Sequence, residues 1–265
     1  ALEFYDGSLW QQISGTLVSD NPPSDNFNTV IWTSTGGNTD ISITGVGFKP
    51  DFVWAKSRTD AYNHTLYDSA RGAGTNHWLA SDLSNSESSL AASAALYGYL
   101  GSFDNDGFTG KAGTSDNSYF NYNTNKNYVG WNWKAGGAAT TIASGTNGST
   151  VASDVSANQA AGFSIVKYTT AGVQTISHGL SKAPEIIINK ISNASVNWNV
   201  YTQTTGTGHL LKLNLGDATA ADSVFMTAVG ADTFSTKWSD GSYNYINYCW
   251  HSVPGYSKIG FYVGN

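Results

Sequence analysis

Apolar and polar residues along this chain come in short alternating runs, broken by Gly, Asn, Asp and Ser. Runs of β-branched and aromatic residues bounded by turn formers predict strands. In the N-terminal half they cover Thr29–Thr33, Asp51–Ser57, His64–Asp68 and Tyr128–Lys134. In the C-terminal half they cover Phe163–Tyr168, Glu185–Ile191, Trp198–Gln203, His209–Leu215, Tyr243–His251 and Ile259–Val263. The clearest helical stretch, Ser86–Leu96, is alanine-rich and long enough for a few turns. Many short strands at this spacing predict an all-β protein of β-sandwiches.

The pattern also repeats. Pro184-Glu185-Ile186-Ile187-Ile188-Asn189-Lys190 aligns with Pro50-Asp51-Phe52-Val53-Trp54-Ala55-Lys56. At the same spacing Tyr201 meets Tyr67, Gly206 meets Gly72, Gly208 meets Gly74 and Leu213 meets Leu79. Phe234 then falls on Phe108, and Asn244-Tyr245-Ile246-Asn247-Tyr248-Cys249-Trp250 on Asn127-Tyr128-Val129-Gly130-Trp131-Asn132-Trp133. A unit of about 100 residues exceeds solenoid repeats and indicates a duplicated domain. Its shared positions are mostly apolar or glycine, as expected of a scaffold rather than a reaction centre.

The expected organisation is an N-terminal hairpin or arm over 1–28, a first sandwich over 29–135, a linker over 136–162 and a second sandwich over 163–265. The fold class is two tandem, mutually similar β-sandwich domains of jelly-roll or lectin-like type. Leu2–Trp10 reads as a hairpin with Asp6-Gly7 at its turn. Ala135–Ala161, rich in Ala, Gly, Ser, Thr and Asn, reads as a linker with little to bury. Alternation puts Val129, Trp131 and Trp133 on one strand face, with Ile246, Tyr248 and Trp250 matching them, and these are expected to fill each domain's core. Phe52-Val53-Trp54 and Ile186-Ile187-Ile188 are apolar on both faces, so both are expected to be covered by the sibling domain, the helix or another subunit.

Charge narrows the function. Only 12% of residues are charged, against 13% aromatic, and the net charge is −6. The few basic residues are scattered, without the cluster that nucleic-acid binding requires. The single cysteine, Cys249, allows no intrachain disulfide. No apolar run approaches the roughly 20 residues that span a bilayer, and no signal-peptide pattern is visible at the start. The expectation is a soluble protein, with Ala1 fitting either loss of an initiator Met or an excised fragment.

Candidate chemistry is sparse. Glu3, Glu87 and Glu185 are the only glutamates, a thin stock for the paired carboxylates of a glycosidase. Glu185 and its counterpart Asp51 are expected at exposed strand starts. Asp104-Asn105-Asp106-Gly107 is the strongest acidic cluster and gives Asp104 and Asp106 as weak metal candidates. A calcium loop would need further ligands and a closing Glu, so an Asp-Gly turn is the plainer expectation. The histidines lack metal-binding spacing, and no nucleophile elbow or P-loop is present. A non-enzymatic protein without cofactors is expected. For a glycan ligand, exposed aromatics in segments that differ between the copies are the candidates, namely Tyr62, Trp78, Tyr119, Tyr122 and Tyr243.

The set of motifs resembles a family of duplicated β-rich domains in bacteriophage virion proteins, particularly of marine and cyanobacterial phages. It is carried by Gly45-Val46-Gly47-Phe48-Lys49-Pro50-Asp51-Phe52-Val53-Trp54, Leu66-Tyr67-Asp68-Ser69-Ala70-Arg71-Gly72, Phe103-Asp104-Asn105-Asp106-Gly107-Phe108 and Tyr128-Val129-Gly130-Trp131-Asn132-Trp133. In the second copy it continues in Gly162-Phe163-Ser164-Ile165-Val166, His178-Gly179-Leu180 and Gly255-Tyr256-Ser257-Lys258-Ile259-Gly260. The resemblance implies a tail-fibre-like protein of the virion surface contributing to host attachment, or a capsid decoration (cement) protein, with a lectin-like module or a depolymerase further behind. Implied partners are other capsid or tail proteins and a host cell-surface glycan, with a homo-oligomer, a trimer, as the expected assembly. Neither nucleic acid nor membrane insertion is expected.

Overall fold

The computed structural model describes residues 3–5, 10–12, 23–170, 172–237 and 242–262. Strands make up 42% of the structure, against one helix, so the protein is all-β. A four-stranded antiparallel sheet has the order Phe27–Thr35, Thr124–Trp133, Phe52–Ser57, Thr65–Asp68. An eight-stranded sheet contains the same arrangement at its centre: Phe163–Thr170, Tyr243–Trp250, Ile186–Ile191, Asn199–Thr202. Each is accompanied by a three-stranded sheet, Ile41–Ile43, Gly107–Lys111, Tyr99–Asp104 in one half and Gln174–Ser177, Thr233–Thr236, Ala228–Val229 in the other.

Packing arranges these sheets in four layers. Val30, Val53 and Tyr67 of the four-stranded sheet meet Ile43, Leu100 and Phe108 of its small partner. Val166, Ile187 and Tyr245 of the eight-stranded sheet meet Ile176 and Phe234 of the other small sheet. Between the two large sheets lies a third cluster containing Phe52, Leu66, Phe163, Ile165, Trp198 and Tyr248. Strands in a middle layer have no wet face, which explains the unbroken apolar runs at Phe52-Val53-Trp54 and Ile186-Ile187-Ile188. The cover is the opposite half of the chain.

That middle layer corrects the expected facing of the last strands. Tyr128, Gly130 and Asn132 point into the first half's own core, and Tyr245 and Cys249 into the second's. Trp133, Ile246, Tyr248 and Trp250 point instead at the opposite half. There Phe52 stacks on Tyr248 at 4.2 Å, and Trp133 meets Trp250 edge-on at 6.0 Å. Gly130 is small for a reason: a Cβ there would lie 3.3 Å from the Trp32 ring.

The stretch 136–162 is not a bare linker. Thr140–Ile142 and Ser153–Asn158 extend the eight-stranded sheet beyond Phe163–Thr170. Val155 is buried, and Ile142, Val151 and Ala157 pack against the second core, so four apolar residues suffice to recruit a hydroxyl-rich segment to an otherwise open edge. At the C-terminal end, the strand expected over Ile259–Val263 is irregular chain through residue 262. Glu3–Tyr5 pairs with Trp10–Gln12 in a two-stranded ribbon, and the expected Asp6-Gly7 turn lies outside the described residues.

The helix spans Glu87–Tyr97, with Ser86 as N-cap accepting from the Ser89 amide and Gly98 closing the other end at φ 96°. Leu90 and Ala94 turn inward to the first core. Its N-terminus touches the second half, where the Glu87 amide donates to Ser192 O at 2.9 Å.

Near this junction Lys190, 0% exposed, donates from Nζ to Ile191 O (2.8 Å) and Ala194 O (2.9 Å). Burial lowers its pKa to about 8, opposed by Glu87 and assisted by Arg71. The unfolded chain keeps that proton up to the ordinary value of 10.5. Stability is therefore gained as pH rises from about 8 toward 10.5 and lost as pH falls back through 8. The slope approaches about 1.4 kcal/mol per pH unit. Denaturant titrations across that window are expected to show the rise in the native protein and its absence in Lys190→Met; parallel profiles would mean that Lys190 is hydrated.

Candidate functional site

The two halves use their charged residues alike. After Pro50, the Asp51 amide donates to Trp133 O (2.8 Å) while its carboxylate accepts from the Ala135 and Gly137 amides (2.8 and 3.1 Å). After Pro184, the Glu185 amide donates to Trp250 O (2.7 Å) while its carboxylate accepts from Ser252 N (3.0 Å) and Ser252 Oγ (2.7 Å). The pattern put both acids at exposed strand starts; instead Asp51 is 4% exposed and the Glu185 side chain 16%. Each anion instead bends the chain away from the last strand of its half. Burial works to raise the Glu185 pKa, but the Ser252 hydrogen bonds, then Lys182 and His251, hold it below its usual value. The paired lysines match too: Lys56 donates to the carbonyls of Ser57 and Asp60, one and four residues on, as Lys190 does to Ile191 and Ala194.

A cleft opens beside each of these bends. The larger, about 960 Å³, is bordered by Lys182, Glu185, Gln203, Ser257, Lys258 and Phe261. The run Thr202–Thr205 adds hydroxyls to its wall. The smaller, about 810 Å³, is bordered by Lys49, Asp51, Ser69, Phe103, Lys134 and Gln159. A third, about 430 Å³, lies between the halves where Trp54, His64 and Asp82 face Leu213 and Leu215. Phe261 is 73% exposed and Tyr262 91%, so the large cleft has an aromatic lip open to solvent.

Four of the five aromatics expected to bind ligand gather elsewhere, in one cluster of the first half. Tyr62 meets Tyr122 edge-on at 5.6 Å and Tyr119 at 6.4 Å, and Tyr119 lies 4.6 Å from Trp78. Trp78 is 1% exposed, with Nε1 donating to His64 O (3.0 Å), so it offers no face to a sugar. Tyr119 is buried as well, while Tyr62 and Tyr122 are half-buried. Tyr243 stands apart on the last strand, edge-on to Tyr245 at 6.5 Å. None of the five lines the two clefts beside the bends.

Asp104 and Asp106 do not converge on a common point. Asp104 accepts from Ser102 Oγ (2.8 Å) and Thr109 Oγ1 (2.7 Å), and Asp106 from the Gly45 and Gly47 amides (3.1 and 2.6 Å). Gly107 completes their turn at φ 147°, where a Cβ would lie 2.0 Å from Ile43 O. Among the described residues no group of three or more His, Cys, Asp or Glu could hold a metal ion. His178 is buried with its tautomer fixed: Nδ1 accepts from the Leu180 amide, leaving Nε2 to donate to Gly230 O at 3.2 Å.

The cleft residues escaped a search for exposed aromatics and acidic pairs. A signal was present in the repeat itself: Lys49-Pro50-Asp51 and Lys182-Ala183-Pro184-Glu185 each place a lysine just before the shared proline and an acid just after it. Comparison with curated proteins and with solved structures gave no match. A family model described as a domain of unknown function, DUF7483, matches residues 22–265, and the chain therefore belongs to that family.

Proposed function

We propose that this chain is a non-enzymatic binding protein of a bacteriophage virion surface, tail-fibre-like and contributing to host attachment, built from two copies of one lectin-like sandwich. The observation that carries the binding reading is the larger cleft, where the exposed Phe261 ring meets Gln203, the Thr202–Thr205 hydroxyls and two lysines. An aromatic face takes the C–H side of a sugar ring while amides and hydroxyls exchange hydrogen bonds with its rim. The virion setting rests on the sequence resemblance. A binding role also suits the acids: each of the two clefts has one carboxylate along its wall, already holding backbone, whereas glycoside hydrolysis uses two across the bond.

The test is binding of the labelled chain to intact host cells, with soluble host polysaccharide as competitor. Saturable, competed binding is expected, and Phe261→Ala should weaken it about fivefold or more. Full binding by that variant would remove this cleft from the reading.

Capsid decoration is the second reading, favoured by a different surface. The strand Phe27–Thr35 has one hydrogen-bonded neighbour among the described strands, and Ile31 on it is 69% exposed. A nine-residue edge with an exposed Ile suits strand addition by a neighbouring subunit. Binding to particles that lack the protein, and not to cells, would select this reading.

A further inference from the structure

The chain is acidic, yet the clefts beside its two bends are not. Of the eleven lysines, Lys111, Lys126, Lys167, Lys182 and Lys212 pair with carboxylates. Lys56 and Lys190 are spent on backbone carbonyls. That leaves Lys49, Lys134, Lys237 and Lys258 without an ion pair among the described residues. Three of those four border the two clefts: Lys49 and Lys134 the smaller, Lys258 the larger. Two lysines against one carboxylate give each cleft a local charge of +1 on a chain whose net charge is −6, although in the larger cleft Lys182 already stands 3.7 Å from Glu185, so Lys258 carries the surplus there.

The clefts also share a common frame. Each lies at the proline-acid bend of its half, with Asp51 in one and Glu185 in the other. Each has a neutral hydrogen-bonding side chain, Ser69 or Gln203, at aligned positions of the repeat, and an aromatic wall, Phe103 or Phe261, drawn from unlike parts of the two halves. In both cases that residue is tied to the bend: the Ser69 amide donates to Asp51 O (2.7 Å) and the Gln203 amide to Glu185 O (2.8 Å). The repeat has thus carried the bend and one wall of the cleft, while lysines and an aromatic ring enter each cleft from different parts of its half.

We infer that the chain holds two quasi-equivalent sites for anionic sugars, one in each half, with the lysine pair taking the sugar's carboxylate or phosphate. The inference rests on the glycan-binding reading above and adds to it the ligand's charge and the number of sites. The lysine pair attracts the anion. The bend acid stays ionised, but its lone pairs are taken up by amide and Ser252 hydroxyl donors and the two lysines outnumber it. Because the lysines are exposed, the attraction is screened by salt.

The test uses the full chain and three probes: an oligosaccharide containing glucuronate, the same oligosaccharide with that carboxylate reduced to an alcohol, and a sugar phosphate. Titration calorimetry is expected to give two equivalents of glucuronate probe per chain. Lys49→Gln with Lys134→Gln should leave one equivalent, as should Lys182→Gln with Lys258→Gln. The reduced probe should bind about 5–10-fold more weakly. Comparison of glucuronate with the phosphate tells which anion the pair prefers, and either preference supports the inference. All four lysines are exposed, so unchanged melting of the variants is the control for folding. Equal affinity for the charged and reduced probes would overturn the charge assignment while leaving glycan binding intact. One equivalent that ignores the Lys49 and Lys134 changes would overturn the second site. Binding of none of the three probes would overturn both the inference and the glycan reading.

Discussion

Replacing Arg71 with methionine is expected to lower the unfolding free energy by about 3–5 kcal/mol. The guanidinium reaches in every direction available to it. Nε donates to Asp68 at 2.5 Å, Nη1 to Glu87 and His77 O, both at 2.7 Å, and Nη2 to Tyr248 OH at 3.3 Å. Asp68 is 0% exposed and also accepts from Tyr248 OH at 2.8 Å. One cation therefore joins the strand Thr65–Asp68, the start of the helix and the last strand of the other half. Without it the Asp68 anion stays buried with only the residue 71 amide (2.9 Å) and the Tyr248 hydroxyl to hold it, and that unpaired charge supplies most of the loss. Chemical denaturation is the check. Adding Asp68→Asn to Arg71→Met should recover part of the stability, since the anion is then gone; a loss below about 1 kcal/mol in the single variant would mean that water reaches the site.

The second large effect is expected at Trp198. It is 0% exposed in the cluster between the large sheets, and Nε1 donates to Ala80 O (2.8 Å) and Leu83 O (3.1 Å) of the first half. Trp198→Ala should cost about 3–5 kcal/mol from the cavity and lost burial. It removes contacts between the halves and few within either core. The signature should accordingly be a single calorimetric transition that broadens or splits in two. Trp198→Phe keeps one ring in place, deletes the donated bonds and leaves a smaller void, so a loss of about 1–3 kcal/mol without splitting is expected. An equally sharp transition in Trp198→Ala would show that the aromatic contacts of Phe52, Trp133 and Trp250 couple the halves on their own.

Much of the fold could be read from side-chain periodicity. The strand at Phe52–Ser57 and the helix after Ser86 lie within a residue or so of where the aromatic, β-branched run and the alanine-rich stretch put them. What alternation could not tell was which face of Trp131 and Trp133 belonged to which core. Two covered faces look identical in a sequence, and only the position of the opposite half distinguishes them. Ala135–Ala161 misled for another reason. Its strands take little of their stability from their own side chains and much from the ladder of a neighbouring strand, so low hydrophobicity there did not mean disorder. The site was harder. A search for aromatics found the Tyr62–Tyr119–Tyr122 cluster, which packs against itself. The clefts arise where charged side chains hold the chain after a strand, and no single residue type advertises that.

The placement of Cys249 has a consequence for how the protein meets oxidants. The thiol is 0% exposed, on the inner face of the last strand, and burial pushes its pKa up to about 12. In this state it is neither a nucleophile nor available to another chain. Its chemistry is rationed by opening of the second half, so the rate at which a thiol reagent consumes it is a clock for that event alone. An exposed, ionised thiol is open to oxidation and to exchange with other chains. Here the same residue becomes inert for as long as the fold stays shut, and damage is confined to molecules that have already begun to come apart.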